Sequence, residues 1–222
     1  ILLNNILIGD VWLCGGQSNM EWTLRSTRDA DVEIPAADFP AIRFIRIPKV
    51  ARHTPQTDFP VRNPKDSVGN WRVCTTQHVD NCTAVGYYFA KRINRHLRVP
   101  IGLIDTSWGG TMAQHWVTKD TLRKIPEVDP YFDQYEASVK AWNEGGGADG
   151  AEARYAADLK AWDLARTEAK TNGEREPRRP NRNAYTDPAE KGQPGGMLNG
   201  CIMPLAHCSL KGVLFYQGEN NS

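Results

Sequence analysis

Apolar runs that end in polar or glycine-containing turns set the pattern of this chain. Val11-Trp12-Leu13-Cys14 follows Gly9-Asp10 and runs into Gly15-Gly16-Gln17-Ser18-Asn19-Met20. Ile101-Gly102-Leu103-Ile104 runs through Asp105-Thr106 into Ser107-Trp108-Gly109-Gly110-Thr111, and Val213-Leu214-Phe215-Tyr216 runs into Gln217-Gly218-Glu219-Asn220. Short apolar runs bounded by turn residues predict buried strands. Ile42-Arg43-Phe44-Ile45-Arg46-Ile47 alternates in part and stops at Pro48, which predicts a fourth strand. Residues 1–9 alternate weakly and read as an edge strand or entry segment, and Trp71-Arg72-Val73-Cys74 as a short strand. Over 83–97 the period changes. Val85, Phe89, Ile93 and Leu97 recur every four residues, with Tyr88 and His96 flanking, which predicts an amphipathic helix that Pro100 ends. A helix between strands is the βαβ unit, so the expected class is α/β with a central parallel sheet and a right-handed crossover.

The character changes between 120 and 195. Tyr131, Tyr135, Val139 and Trp142 have helical spacing, Gly145-Gly146-Gly147 breaks it, and Tyr155, Leu159 and Trp162 resume it. This predicts two helices in a hairpin, each with a narrow apolar stripe, inserted into a domain that spans 1–222. Residues 26–40, 49–70 and 171–196 read as polar, proline-containing loops. A short helix is expected to start at Ser18 or Asn19.

Composition narrows the function classes. The chain has 222 residues, 40% hydrophobic and 24% charged, as expected of a globular protein. A formal net charge of +1 gives no reason to expect nucleic acid or an anionic membrane as partner. No apolar run approaches the ~20 residues of a membrane span. Ile1 to Ile8 lacks the basic start and cleavage site of a signal peptide, and the missing initial Met suggests a processed or trimmed product. The five cysteines Cys14, Cys74, Cys82, Cys201 and Cys208 show no zinc-ligand spacing. Local bridges between Cys74 and Cys82, or Cys201 and Cys208, stand beside buried free thiols as readings, with Cys14 the natural free one.

In an open parallel sheet the carboxyl ends of the strands line one edge, where ligands bind. The turns at Ser18, Gly109-Gly110 and Gln217-Gly218-Glu219 are therefore expected to converge there. Ser18 would be a hydroxyl nucleophile and, through its own N–H, an oxyanion donor. Gly109 or Gly110 would expose a second N–H, and the Gln217 amide would be a third donor, each worth roughly 3 kcal/mol. Gln17, Asn19 and Glu219 are candidates to support these loops or to touch substrate. A general base is harder to find. His53 and His78 lie in polar loops, His96 near a helix end, and His207 before the last strand; His115, after the glycine turn, is the first candidate for base or substrate contact.

Gly9-Asp10-Val11-Trp12-Leu13-Cys14-Gly15-Gly16-Gln17-Ser18-Asn19-Met20-Glu21-Trp22 resembles the nucleophile block of sialate O-acetylesterases, which are SGNH (GDSL-like) hydrolases near the carbohydrate acetylesterases. Val85 to Ala90, Val99 to Ile104 with Trp108-Gly109-Gly110-Thr111, Asn199-Gly200 with Pro204-Leu205, and Gly212 to Asn220 are similar to later blocks in the same order. The resemblance implies a three-layer α/β/α sandwich with a helical insertion at 120–195. It implies Ser18 as nucleophile, a glycine of Gly109-Gly110 and Gln217 as oxyanion donors, and neither metal nor organic cofactor. The substrate would be an acetylated sugar, sialic acid or a neutral polysaccharide, met in a secreted or periplasmic setting. Arg25, Arg28 or Arg175, Arg178, Arg179 and Arg182 would be the cations for a sialate carboxylate. The family's Asp-x-x-His block is absent after residue 217, so the base is expected beyond Ser222 and little activity from these 222 residues alone. A non-catalytic carbohydrate-binding relative is the other reading, and an adaptor using the hairpin as a contact surface a weaker one. The resemblance carries no oligomeric state.

Overall fold

The computed structural model describes residues 4–60 and 68–221, so the entry segment before residue 4 and the middle of the 49–70 loop lie outside the described residues. The chain divides into two compact units, Ile1–Thr118 with Pro194–Ser222, and Lys119–Gln193.

The first unit is built on a five-stranded sheet: β1 (Asp10–Gly16), β2 (Asp38–Arg46), β3 (Arg72–Thr75), β4 (Ile101–Asp105) and β5 (Gly212–Tyr216), in the order β3-β2-β4-β1-β5. β1 lies parallel to β4 and β5, and β2 parallel to β4; β3 is antiparallel to β2. Residues 4–9 form no strand, so the chain enters β1 directly. β2 starts earlier than its apolar alternation suggests. Its pairing with β3 shifts between Phe39 and Arg43, an irregularity that accommodates Pro40, which has no N–H for a ladder. The register sets Cys14 opposite Asp105 and Gly16 opposite Tyr216. The carboxyl ends of β1 and β5 are therefore level, with β4 ending two residues earlier, and their turns leave from one edge.

Helix α1 (Ser18–Glu21) follows β1 directly, and α2 (Ala30–Glu33) occupies part of the polar stretch before β2. Helix α3 (Ala84–Leu97) starts at Thr83, whose hydroxyl accepts from the Gly86 N–H and donates to the Met20 carbonyl at 2.6 Å. It ends at Arg98 in the left-handed region (φ 58), two residues before Pro100. Its buried face is Ala84, Gly86, Tyr87 and Ala90, not the 85/89/93/97 stripe, and Leu97 is 53% exposed. Ala84, Gly86 and Ala90 let the helix lie close on the sheet, and Tyr87 is the one large side chain of that face. A Cβ on Gly86 would stand 3.1 Å from Cys14 Sγ and 3.2 Å from Leu103.

Both faces of the sheet are covered over β1, β2 and β4, whereas β5, expected to be a buried strand, lies at the sheet edge and leaves Val213, Phe215 and Tyr216 exposed. On one face, Cys14, Met20, Leu24, Ile42, Phe44, Tyr87 and Leu103 form a buried cluster; on the other, Leu13, Ile47, Ile104 and Cys201 pack with Trp108 and Trp116. Burying each large side chain contributes about 1.5–3 kcal/mol. The fold is thus α/β with a mostly parallel central sheet, as expected. All five cysteines are free, and only Cys208 is exposed, so neither local bridge is present. Burial pushes the Cys74 thiol up to about 12, which leaves it unreactive.

The second unit is helical: α4 (Lys119–Leu122), α5 (Asp129–Glu144), α6 (Gly147–Asn172) and α7 (Pro188–Lys191). The break between α5 and α6 is made by Gly146 (φ 84) and Gly147 (φ 58), in a region closed to most side chains. Phe132 is buried in α5, and Ala151 and Ala169 in α6. No helix among the described residues is long and apolar enough to cross a membrane.

Candidate active site

Three turns meet at the carboxyl edge of the first unit. The first is made sharp by Gly16 (φ 140). A Cβ there would lie 2.0 Å from the Tyr216 carbonyl oxygen, so β1 and β5 run together at a point where only glycine fits. Gln17 then caps α1 without a side-chain bond, and Ser18 is its first residue. Gln17 is buried, while Ser18 and Asn19 are exposed. The second turn begins at Thr106, whose N–H donates to the Cys14 carbonyl (2.9 Å), and the Trp108 N–H donates to the Gly16 carbonyl (3.0 Å). The third turn follows β5, where the Tyr216 carbonyl accepts from the Gln17 N–H at 3.0 Å.

Side chains tie these turns to one another. Asn19 Nδ2 donates to Glu219 Oε1. Gln217 Nε2 donates to Thr111 Oγ1 (3.2 Å), and Gln217 Oε1 accepts from the Gly218 N–H (3.0 Å). Thr111 Oγ1 also donates to the Trp108 carbonyl (2.8 Å) and accepts from Trp116 Nε1 (3.0 Å). Asn221 Oδ1 accepts from the Ala113 N–H (2.9 Å), and Asn221 Nδ2 donates to Gln114 Oε1 (2.7 Å). The Gln217 amide is therefore held in a fixed plane, with one N–H engaged and the other donating to no acceptor among the described residues.

Gly109 departs from the simplest expectation for it. Its N–H donates to Glu21 Oε2 at 2.6 Å, so that donor is engaged. Glu21 Oε1 in turn pairs with Lys49 and, at 3.4 Å, with Arg46. Burial would raise the Glu21 carboxyl, but Lys49, the Gly109 N–H and Arg46 together outweigh it and hold the group below the usual carboxylate range. Among the described residues the Ser18 and Gly110 N–H groups donate to no acceptor. Gly110 is exposed and left-handed (φ 71), so of the two glycines it is the one presenting a usable donor.

His115 is buried, 3% exposed. Its Nδ1 accepts from the Met112 N–H at 3.1 Å. In a neutral ring this puts the proton on Nε2, and neither nitrogen offers a lone pair for a serine proton. His115 supports the turn of residues 113–116 instead. Among the described residues no group of His, Cys, Asp and Glu has the form of a metal site.

A carbohydrate esterase family, the sialic acid-specific acetylesterases, matches residues 8–147, more than half of the chain. The chain belongs to this family. The sialate O-acetylesterase of Mus musculus is 26% identical over 237 residues, covering 99% of this chain and 36% of that protein; that of Homo sapiens is 24% identical, covering 99% and 32%. The crystal structure of a carbohydrate acetylesterase from Xanthomonas citri superposes with a TM-score of 0.59 at 27% identity, covering 96% of this chain and 33% of that one. The chain thus spans about a third of the length of the curated relatives it matches.

Within this esterase-family chain, several residues of the turn cluster escape a reading by sequence. Glu21 sits inside the Gly15–Trp22 block, yet nothing in the sequence says that its carboxylate reaches Gly109. Arg46 and Lys49 flank Ile47-Pro48 after β2, and only the β2–β4 register reveals that they stand beside α1. Thr111 and Asn221 are small polar loop residues without a distinguishing signal. The arginines considered for a sialate carboxylate divide. Arg25 and Arg28 are exposed after α1, whereas Arg182 pairs with Glu152 and lies over Tyr155, and Arg179 lies over Trp162.

Proposed function

We propose that this chain supplies the nucleophile and the oxyanion donors of a carbohydrate O-acetylesterase. The observation that carries the reading is the hydrogen-bonded convergence of the Ser18, Gly110 and Gln217 turns at one sheet edge, in a chain of the sialic acid-specific acetylesterase family. Ser18 Oγ attacks the acetyl carbonyl of the sugar ester and loses its proton to a base. The tetrahedral oxyanion accepts from the Ser18 N–H, the Gly110 N–H and the remaining Gln217 amide N–H. Collapse transfers the acetyl group to Ser18 and releases the sugar hydroxyl, which takes the proton back from the base. Water then attacks the acyl-enzyme and acetate leaves. The scheme calls on no metal or organic cofactor. Its base is the histidine of the Asp-x-x-His block that the resemblance implies, since His115 has Nδ1 engaged. Asn19 and Glu219 hold the first turn to the third. O-acetylated sialic acid is the substrate named for the relatives, and a secreted or periplasmic enzyme would meet it on glycans.

The test is release of acetate from O-acetylated sialic acid by the full-length protein. Ser18→Ala is expected to lower kcat by about 10³-fold or more. Comparable rates from wild type and Ser18→Ala would overturn the reading.

A further inference from the structure

The side chain most involved at this edge has no place in the chemistry above. Glu21 lies one helical turn beyond Gln17 in α1, and its two carboxylate oxygens face different elements. Oε2 holds the Gly109 N–H at 2.6 Å; Oε1 faces Lys49 and Arg46, which close the end of β2. Arg46 reaches on through Nε to Asp105 Oδ2 at 3.5 Å. Asp105 ends β4, and its Oδ1 accepts from both the N–H (3.0 Å) and the hydroxyl of Ser107, the residue that opens the glycine turn. The 107–110 turn is therefore gripped twice, by Asp105 at its start and by Glu21 at Gly109.

We propose that Glu21 is a positioning residue, which fixes the Gly109-Gly110 turn against the Ser18 turn through the Gly109 N–H and so aims the Gly110 N–H at the oxyanion. The proposal rests on Ser18 being the nucleophile. The separation between the two turns is set tightly. A Cβ on Gly109 would stand 3.5 Å from both Cα and Cβ of Ser18 and 3.0 Å from Glu21 Oε2. Ser18 and Glu21 share a single helical turn, so the grip of Glu21 on Gly109 also fixes where Ser18 stands relative to Gly110. Arg46 and Lys49 hold the carboxylate from the far side, leaving it little freedom to release Gly109. An oxyanion donor displaced by a fraction of an ångström stabilises the transition state less while leaving ground-state binding nearly unchanged. The role therefore predicts a loss in kcat and not in KM.

The experiment uses the full-length protein with Glu21→Gln, which keeps the shape and loses the charge, and Glu21→Ala. Each is labelled to completion with a fluorophosphonate to count competent sites, and kcat per labelled site and KM are measured with 4-nitrophenyl acetate. Glu21→Gln is expected to lower kcat per site by about ten-fold and Glu21→Ala by about a hundred-fold, with KM within about two-fold of wild type. A purely structural role would reduce the labelled fraction and the melting temperature while kcat per site stays at the wild-type value, and that result overturns the proposal. A rise in kcat per site overturns it too, since Glu21 would then be withholding the Gly109 donor. If the Glu21 variants do not fold, Lys49→Met decides. It leaves Glu21 in place and is expected to lower kcat per site about two- to five-fold, with an unchanged kcat counting against the proposal. Ser18→Ala is run in parallel. An active Ser18→Ala protein removes the nucleophile assignment and this proposal together, whereas an inactive one beside a fully active Glu21→Gln removes this proposal alone.

Discussion

The sheet unit and the helical unit are held by different forces. In the sheet unit the chain repeatedly passes itself at distances only glycine allows: a Cβ would lie 2.1 Å from the Pro100 carbonyl oxygen at Gly9 and 2.0 Å from that of Tyr216 at Gly16. In the helical unit, α6 runs for 26 residues and buries Ala151 and Ala169, and its polar faces carry ion pairs such as Arg166 with Glu176 and Arg182 with Glu152. Leu164 on that helix is 67% exposed. Close packing punishes small changes, because neighbouring atoms cannot move apart cheaply. Solvated pairs tolerate change, because water replaces what is lost. The candidate site stands on the intolerant unit, and that suits turns proposed to hold oxyanion donors within fractions of an ångström.

The contrast is tested hardest by one glycine from each unit. Gly16→Ala should cost at least about 3 kcal/mol in urea unfolding, because the added methyl meets backbone oxygen and the residue is left-handed. Gly173→Ala meets nothing within 4 Å and carries only the left-handed penalty (φ 70), about 1 kcal/mol. Equal costs would mean that the close approach of the Tyr216 carbonyl adds nothing to the cost at Gly16.

Two carboxylates at the site edge sharpen it through pH, with opposite signs. Glu21 is held below its ordinary value of 4.5 by Lys49, Gly109 and Arg46 against the opposing effect of burial. Its contribution to stability is therefore present above that value and lost as pH falls through the depressed folded one. Burial raises Asp105 above 3.8, with Glu21 adding to the rise and Ser107 and Arg46 opposing it. Its stabilising protonated form is complete below 3.8 and is lost as pH rises through the raised folded value. Urea midpoints followed from about pH 3 to pH 7 should show Glu21→Gln flattening the acid-side decline and Asp105→Asn flattening a decline toward neutral pH. Slopes unchanged by either substitution would contradict the assigned network.

The smallest effects are expected on the helical unit. Arg182→Ala removes an exposed pair with Glu152 and a contact over Tyr155, and should cost less than about 1 kcal/mol. Leu164→Ala should lie within about 0.5 kcal/mol of wild type. Thermal unfolding of the two variants checks both values, and a larger loss would mean that this surface is engaged in the whole protein.

The strands at Val11 and Ile101 were legible because a buried parallel strand must be continuously apolar and must stop at a turn; the Val213 strand shows the same pattern, yet it lies at the sheet edge with Val213, Phe215 and Tyr216 exposed. The convergence of their turns followed from the rule that parallel strands deliver their carboxyl ends to one edge. The buried face of α3 was not legible, because the eye follows large apolar residues. What decided the face was closeness, with Gly86 and Ala90 against the sheet and Val85 and Leu97 turned outward. The role of Glu21 is not legible in the sequence for a related reason. Its partners Arg46, Lys49 and Gly109 come from three elements, and only the sheet register brings them together. His115 looked reactive by position, yet the Met112 N–H had already claimed its Nδ1.

The role proposed for Ser18 is to form the acyl bond through its Oγ. It is tested most directly by treating the full-length protein with a fluorophosphonate and locating the adduct by peptide mass mapping. About one label per chain is expected, on the peptide containing Ser18, with activity lost in proportion. A label on another residue, or full inhibition with Ser18 unmodified, would contradict it.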